Sequence, residues 1–197
     1  MGGVASRFFW RGNDLGLDFL NTDAVDEHGR PLDLLADADA VLEWAGAAGL
    51  LDAAGVAACR RLPRRQTAAL VDWTHRLRAV TRAIVDPSAE PLPDGTATLA
   101  GVLAEVPVTL TVPADDAPEA APVAAARPLD RLRLALALAV VDTLRLERRR
   151  IRRCEGERCV LLYYDTSRNR SRRWCDMGAC GNRAKAAAHY QRTRRRN

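Results

Sequence analysis

Four cysteines are set out as two matched pairs. Cys154 and Cys159 have four residues between them, as do Cys175 and Cys180, and fifteen residues separate the pairs. Thiols in this arrangement either pair oxidatively or bind a metal. Disulfides persist in oxidising compartments, and the stretch from Met1 to Trp10 lacks the basic start and apolar core of a secretory leader. Zn2+ takes four tetrahedral ligands, and two short-spaced pairs across a hairpin-sized spacer can supply them. The expected cofactor is one structural zinc ion on Cys154, Cys159, Cys175 and Cys180. Four thiolates leave no open coordination position, so no chemistry at the metal is expected. They also leave a formal charge of −2, which nearby arginines and backbone N–H groups can offset.

The same segment holds the basic charge. Residues 145 to 197 carry 17 Arg or Lys and five Asp or Glu, a balance of +12. The first 144 residues carry 13 basic and 20 acidic side chains, a balance of −7. The net +5 is thus the remainder of an acidic body and a basic tail, and such a tail suits a polyanion. Arg makes up 29 of the 30 basic residues. Its planar fork can bind phosphate or the O6 and N7 edge of guanine.

The elements that must position these residues read as a small ββα unit. Val160 to Tyr164 is aliphatic and aromatic and suits a strand, with Tyr163 and Tyr164 on opposite faces. Asp165 to Ser171 is turn-like, and Arg172 to Cys175 is the expected return strand. Asn182 suits an N-cap, and Arg183 to Arg195 has neither Gly nor Pro and reads as a helix. Few large apolar side chains occur after Ile151, so metal ligation must supply much of the folding free energy there.

These motifs resemble the CGNR zinc-finger family. The resemblance rests on Tyr164 to Asn169, on Arg172-Arg173-Trp174-Cys175-Asp176-Met177, and on Cys180-Gly181-Asn182-Arg183-Ala184-Lys185, which contains the family's name motif. The N-terminal part resembles the ABATE domain commonly paired with it, through Leu17-Asp18-Phe19-Leu20-Asn21-Thr22. The resemblance implies a stress-induced, sequence-binding transcription regulator.

Upstream, Asp14 to Asn21 is a short apolar segment, helix or strand by pattern alone. Helices are expected over Asp37 to Ala48, within Ala53 to Arg61, over Thr96 to Glu105 and over Leu129 to Leu146. The clearest is Arg64 to Val85, striped by Ala69, Leu70, Trp73, Leu77, Val80 and Ile84 and ended by Asp86-Pro87. Val106 to Val112 reads as a strand and Ala114 to Arg127 as a surface loop. The fold class is mainly α with a small β element, plus a small zinc-bound ββα C-terminal module. The expected domains are residues 1–146, a sensing or assembly domain, and 147–197, the basic zinc finger.

The candidate DNA-contacting residues are Arg168, Arg170, Arg172 and Arg173 at the hairpin, and Asn182, Arg183, Lys185 and Arg192 on the last helix. Asn182 and Arg183 follow a ligand directly, so they either cap the helix and bond the thiolates or reach DNA. Asp18, Asn21, Thr22 and His75 are the candidates for contact with a small effector, set against capping and surface roles. Trp174 reads as packing around the metal. His189 is unneeded as a ligand, and Cys59 reads as a semi-buried thiol.

With 48% hydrophobic and 28% charged residues, the chain has a globular balance. Its longest apolar run, Leu134 to Val141, is too short to span a bilayer. No H-E-x-x-H pair, G-x-S-x-G elbow, P-loop or deaminase signature occurs, so an enzyme is not expected. The reading is a cytoplasmic regulator that binds duplex DNA, with a homodimer and a small effector as further expected partners. RNA binding by the same tail, or docking of an acidic protein, are the alternatives.

Overall fold

Three short helices, each begun by an aspartate, precede the long one. Asp14, Asp37 and Asp52 accept first-turn N–H groups and start α1 (Leu15–Leu20), α2 (Ala38–Ala47) and α3 (Ala53–Arg60). Between α1 and α2 the chain forms an antiparallel pair, β1 (Asp23–Val25) with β2 (Pro31–Asp33). The long stripe becomes α4 (Arg64–Val85), ended at Asp86 because Pro87 forces an extended backbone before it. Then follow α5 (Gly95–Ala104), β3 (Val108–Thr111), β4 (Ala121–Ala124) and α6 (Pro128–Arg145). The C-terminal part adds β5 (Ile151–Arg153), β6 (Leu162–Tyr164), a π-helical turn at Met177–Gly181, and α7 (Asn182–Arg194). The computed structural model describes residues 7–111, 121–124 and 127–194. None of the described helices is long and apolar enough to cross a membrane.

The core lies around α4. Leu70, Trp73, Leu77 and Val80 are buried along it, and Trp44, Phe19, Leu132, Leu136 and Val140 close over them from α2, α1 and α6. The buried Trp73 indole finds its partner across the core, donating to the Val102 carbonyl at 3.0 Å. α1 reaches α6 only because residue 16 is glycine. A Cβ there would lie 2.0 Å from Thr143 Oγ1.

Two expectations are corrected. The segment read as a loop, Ala114 to Arg127, contains β4, which pairs antiparallel with β3 so that Ala121 lies opposite Thr111. Pro122 is compatible with this pairing because both strands of a two-stranded sheet are edges. Residues 112–120 and 125–126, which include Val112 and most of that expected loop, lie outside the described residues.

The second correction concerns the hairpin. Arg172 to Cys175 is not the return strand; β6 pairs instead with β5, upstream of the first cysteine, with Ile151 opposite Tyr164 and Arg153 opposite Leu162. The reason is the knuckle between Cys154 and Cys159. Cys154 donates its N–H to Leu161 O at 3.0 Å, and Cys159 donates to Gly156 O at 3.0 Å. Closing that knuckle lays the flanking segments side by side and makes it the turn of the hairpin. The strand character of residues 162–164 is as expected; only the partner differs.

Candidate metal centre

The knuckle presents Cys154 and Cys159, and the segment around the π-helical turn brings Cys175 and Cys180 to meet them. The four sulfurs lie within 4.8 Å of one another. Sγ of Cys159 is 3.7 Å from that of Cys175, which is 3.8 Å from that of Cys180. A tetrahedral ion with Zn–S bonds of about 2.3 Å needs sulfurs about 3.8 Å apart. The residues therefore fit one Zn2+, and the four cysteines are positioned to bind one metal ion. Among themselves they cannot all ionise. S–H donation from Cys159 and Cys175 holds the Cys154 thiol far below the ordinary range. The neighbouring Cys154 sulfur pushes both of those thiols up. A cation among the four removes that conflict.

The surrounding groups are those a thiolate cluster needs. Gly156 and Cys175 donate backbone N–H groups to Cys154 Sγ at 3.4 and 3.3 Å. Arg183 donates to Cys180 Sγ at 3.1 Å. The sequence Cys-Gly-Asn-Arg is thereby explained one residue at a time. Cys180 is a ligand. A Cβ on Gly181 would lie 2.5 Å from Met177 Sδ and 3.4 Å from Trp174 Cε3. Asn182 is not the N-cap expected of it: the helical run is capped at Asp176, Asn182 is already helical at the π-to-α junction, and its amide Nδ2 donates back to Gly178 O at 3.1 Å. Arg183 compensates sulfur charge. Trp174 packs against the cysteine cluster, and Tyr163 is buried while Tyr164 is partly exposed.

The arginines divide. Arg172 is occupied inside the module. Its guanidinium lies 4.4 Å from the Tyr163 ring centre and donates to Trp174 O at 2.8 Å and to Cys175 O. Arg173 pairs with Glu155 at 2.6 Å. Arg168 is exposed, and Arg170, also exposed, lies 3.5 Å from Glu147. Lys185 and Arg192 lie on α7, none of whose residues is buried. His189 is exposed on the same helix, outside the ligand set.

Most polar atoms of the residues considered for an effector are bonded within the protein. Asn21 is fully buried; its Nδ2 donates to Leu162 O at 2.8 Å and its Oδ1 accepts from Leu162 N–H at 2.7 Å. Thr22 donates to Phe19 O at 2.6 Å and accepts from Arg78 at 3.0 Å. Asp18 Oδ1 accepts N–H bonds from Arg11 and Gly12 at 2.8 and 2.6 Å. His75 Nε2 lies 2.9 Å from Leu35 O and 3.3 Å from Asp33.

These bonds join the two parts of the chain. Besides Asn21, Gly12 O accepts the Tyr164 N–H at 2.7 Å and Asn13 donates to Tyr164 O at 3.0 Å. The flanks of α1 therefore pair the edge of β6 that β5 leaves open. Ile151 and Leu162 belong to the helical core, and Phe9 touches both that core and the cysteine cluster. Arg11 pairs with Asp176, whose Oδ1 caps the π-helical turn by accepting from Ala179 N–H at 2.6 Å. Arg11 does not stand out in sequence and Asp176 does so only within the motif around Cys175, because their pairing spans the chain. Asp165 was legible only as part of a turn. It is buried and accepts from Ser167 N–H at 2.9 Å and Arg172 N–H at 3.2 Å. An open cavity of about 700 Å3 lies between Val25, the knuckle and the Ala184–Ala187 side of α7.

Comparison with known families follows this division. Residues 150–193 match the CGNR zinc finger, and residues 13–147 match the ABATE family, described as "putative stress-induced transcription regulator". A search of curated proteins gives no match to the chain. With its metal-ligating cysteines gathered in the CGNR segment and the ABATE model matching most of its length, the chain belongs to the ABATE family and carries a C-terminal CGNR zinc finger.

Proposed function

We propose that the chain is a transcription regulator that binds duplex DNA through its zinc module. The observation that carries this reading is α7: a 13-residue helix with no buried residue, anchored at one end to the cysteine cluster. An exposed helix has no core to stabilise it, so its position depends on the metal-held turn. Lys185, Arg192 and Arg194 along it, with Arg168 and Arg170 on the loop after β6, supply phosphate contacts. Arg172 and Arg183 support the module from within, and Asn182 bonds back onto the π-helical turn.

The chemistry is binding rather than catalysis, and the ion's role is structural. The ABATE domain fixes the module's orientation through the α1–β6 seam. A small effector would act at the 700 Å3 cavity, since the side-chain polar atoms of Asn21 and Thr22 are already bonded within the protein. Competition between duplex DNA and structured RNA at matched salt tests the polyanion. Preference for duplex supports the reading, and preference for RNA overturns it. Calorimetry with metabolite pools tests the effector, and light scattering tests the homodimer.

A further inference from the structure

The basic charge of the N-terminal domain is also concentrated. Arg60, Arg61, Arg64 and Arg65 fall within six residues at the α3–α4 turn, and all four are exposed. α6 packs against α3, which places Arg131 near Cys59 at the end of α3; burial pushes that thiol up, and the Arg131 charge only partly opposes it. Arg127 lies one turn before Arg131, and both are exposed. Arg60 pairs with Asp39 at 3.2 Å. Among the described residues, Arg61, Arg64, Arg65, Arg127 and Arg131 have no ion pair. The first turn of α4 has no acidic residue to offset them.

This corner is far from the zinc module. α4 starts here, and near its other end Arg82 reaches Val160 O at 3.4 Å. Eighteen residues of helix from Arg64 to Arg82 span about 27 Å. α6 runs the same way: Arg133, near its start, donates to Ala69 O, near the start of α4. Its end leads into β5. The molecule is thus basic at both ends of its long helices.

We propose that the α3–α4 corner is a second polyanion site, which binds the phosphate backbone of duplex DNA without reading sequence. This rests on the reading of the chain as a DNA-binding protein. Charge complementarity supports this site. Five exposed guanidinium groups without an ion pair among the described residues share this corner, and duplex DNA offers one phosphate charge per about 1.7 Å of axis. Arginine forks match phosphate oxygens in a bidentate manner. The site lies about 27 Å from the seam with the zinc module, so it adds contacts outside that module's footprint.

The test is salt-dependent binding of a 30-base-pair duplex by the zinc-loaded full chain. The triple variant Arg61→Gln, Arg64→Gln, Arg65→Gln is compared with Lys185→Gln, Arg192→Gln. The corner substitutions are exposed and remove like-charge repulsion, so circular dichroism and zinc content stay at the parent values. The expected result is a log–log salt slope shallower by about 2 to 3, with affinity lower by roughly tenfold or more near 0.1 M salt. If the slope is unchanged while the α7 variant weakens binding, the corner site is overturned and the zinc-module reading stands. If the parent chain binds no duplex, both fall. If the corner variant loses affinity for polyglutamate but not for DNA, the corner binds an acidic protein and the proposal is overturned.

Discussion

Asn21 holds the Leu162 backbone by both ends of its amide, donating at 2.8 Å and accepting at 2.7 Å. The two residues lie 141 positions apart, one in the helical domain and one in the strand that leads out of the cysteine knuckle. A side chain here takes the place of a neighbouring strand. Asn21→Ala leaves a buried N–H and a buried C=O unpaired, at a cost of about 2–4 kcal/mol. Urea unfolding of the zinc-loaded chain measures it. A midpoint equal to that of the parent chain would show that the seam contributes nothing.

Arg172 separates support from DNA contact. Its guanidinium stacks on Tyr163 and donates to two carbonyls beside Cys175. Arg172→Ala should cost about 1–3 kcal/mol and speed zinc loss to a chelator, and Arg172→Lys should not rescue it, because an ammonium has no planar fork. Once zinc is restored, duplex affinity should match that of the parent chain. Weaker DNA binding by the fully loaded variant would instead place Arg172 at the nucleic acid.

Asp18 gives the fold a pH dependence. Burial pushes its carboxyl up to about 6 from an ordinary 3.8, against the pull of the Gly12 and Arg11 N–H groups. A raised carboxyl pKa means that the folded chain favours the protonated form. Its contribution is full below about pH 4 and lost as pH rises through about 6. Asp18→Asn keeps an Oδ1 for both N–H groups and removes the charge. Relative to the parent chain, its stability should gain about 1–2 kcal/mol between pH 4.5 and 7.5, allowing for the group's partial exposure. A difference that stays flat with pH would contradict this.

Gly16 sets the approach of α1 to α6. Gly16→Ala puts a Cβ 2.0 Å from Thr143 Oγ1, so the helices must part, at about 1–3 kcal/mol. Thr143 also donates to Asp14 Oδ1 at 2.5 Å, so Thr143→Ala has its own cost. Thermal unfolding of the double variant closes the cycle. It should be more stable than the sum of the two single losses, and simple additivity would mean that the clash is absorbed elsewhere.

The metal site was legible in sequence because cysteine spacing directly limits how thiolates can meet. The long helix was legible because its apolar stripe repeats at 3.6 residues, as Leu70, Trp73, Leu77 and Val80 show. The partner of β6 was not, since Arg172 to Cys175 and Ile151 to Arg153 are both short, and the knuckle decides between them. Nor was the role of Asn21. An asparagine after an apolar run reads as a cap, and nothing local shows that its partner lies 141 residues away. Arg172 and Arg168 look alike in sequence, and the ring of Tyr163 with the carbonyls of Trp174 and Cys175 distinguishes them.

The central claim is that a metal-held basic helix on an ABATE domain binds duplex DNA. The most direct measurement is duplex affinity of the full chain across a salt series, with one equivalent of zinc and again after chelation. The zinc-loaded chain should bind with affinity falling steeply as salt rises, with a log–log slope of about −4 or steeper, and chelation should abolish specific binding. A folded, zinc-loaded chain that ignores duplex DNA, or binds it equally well without the metal, would contradict the claim.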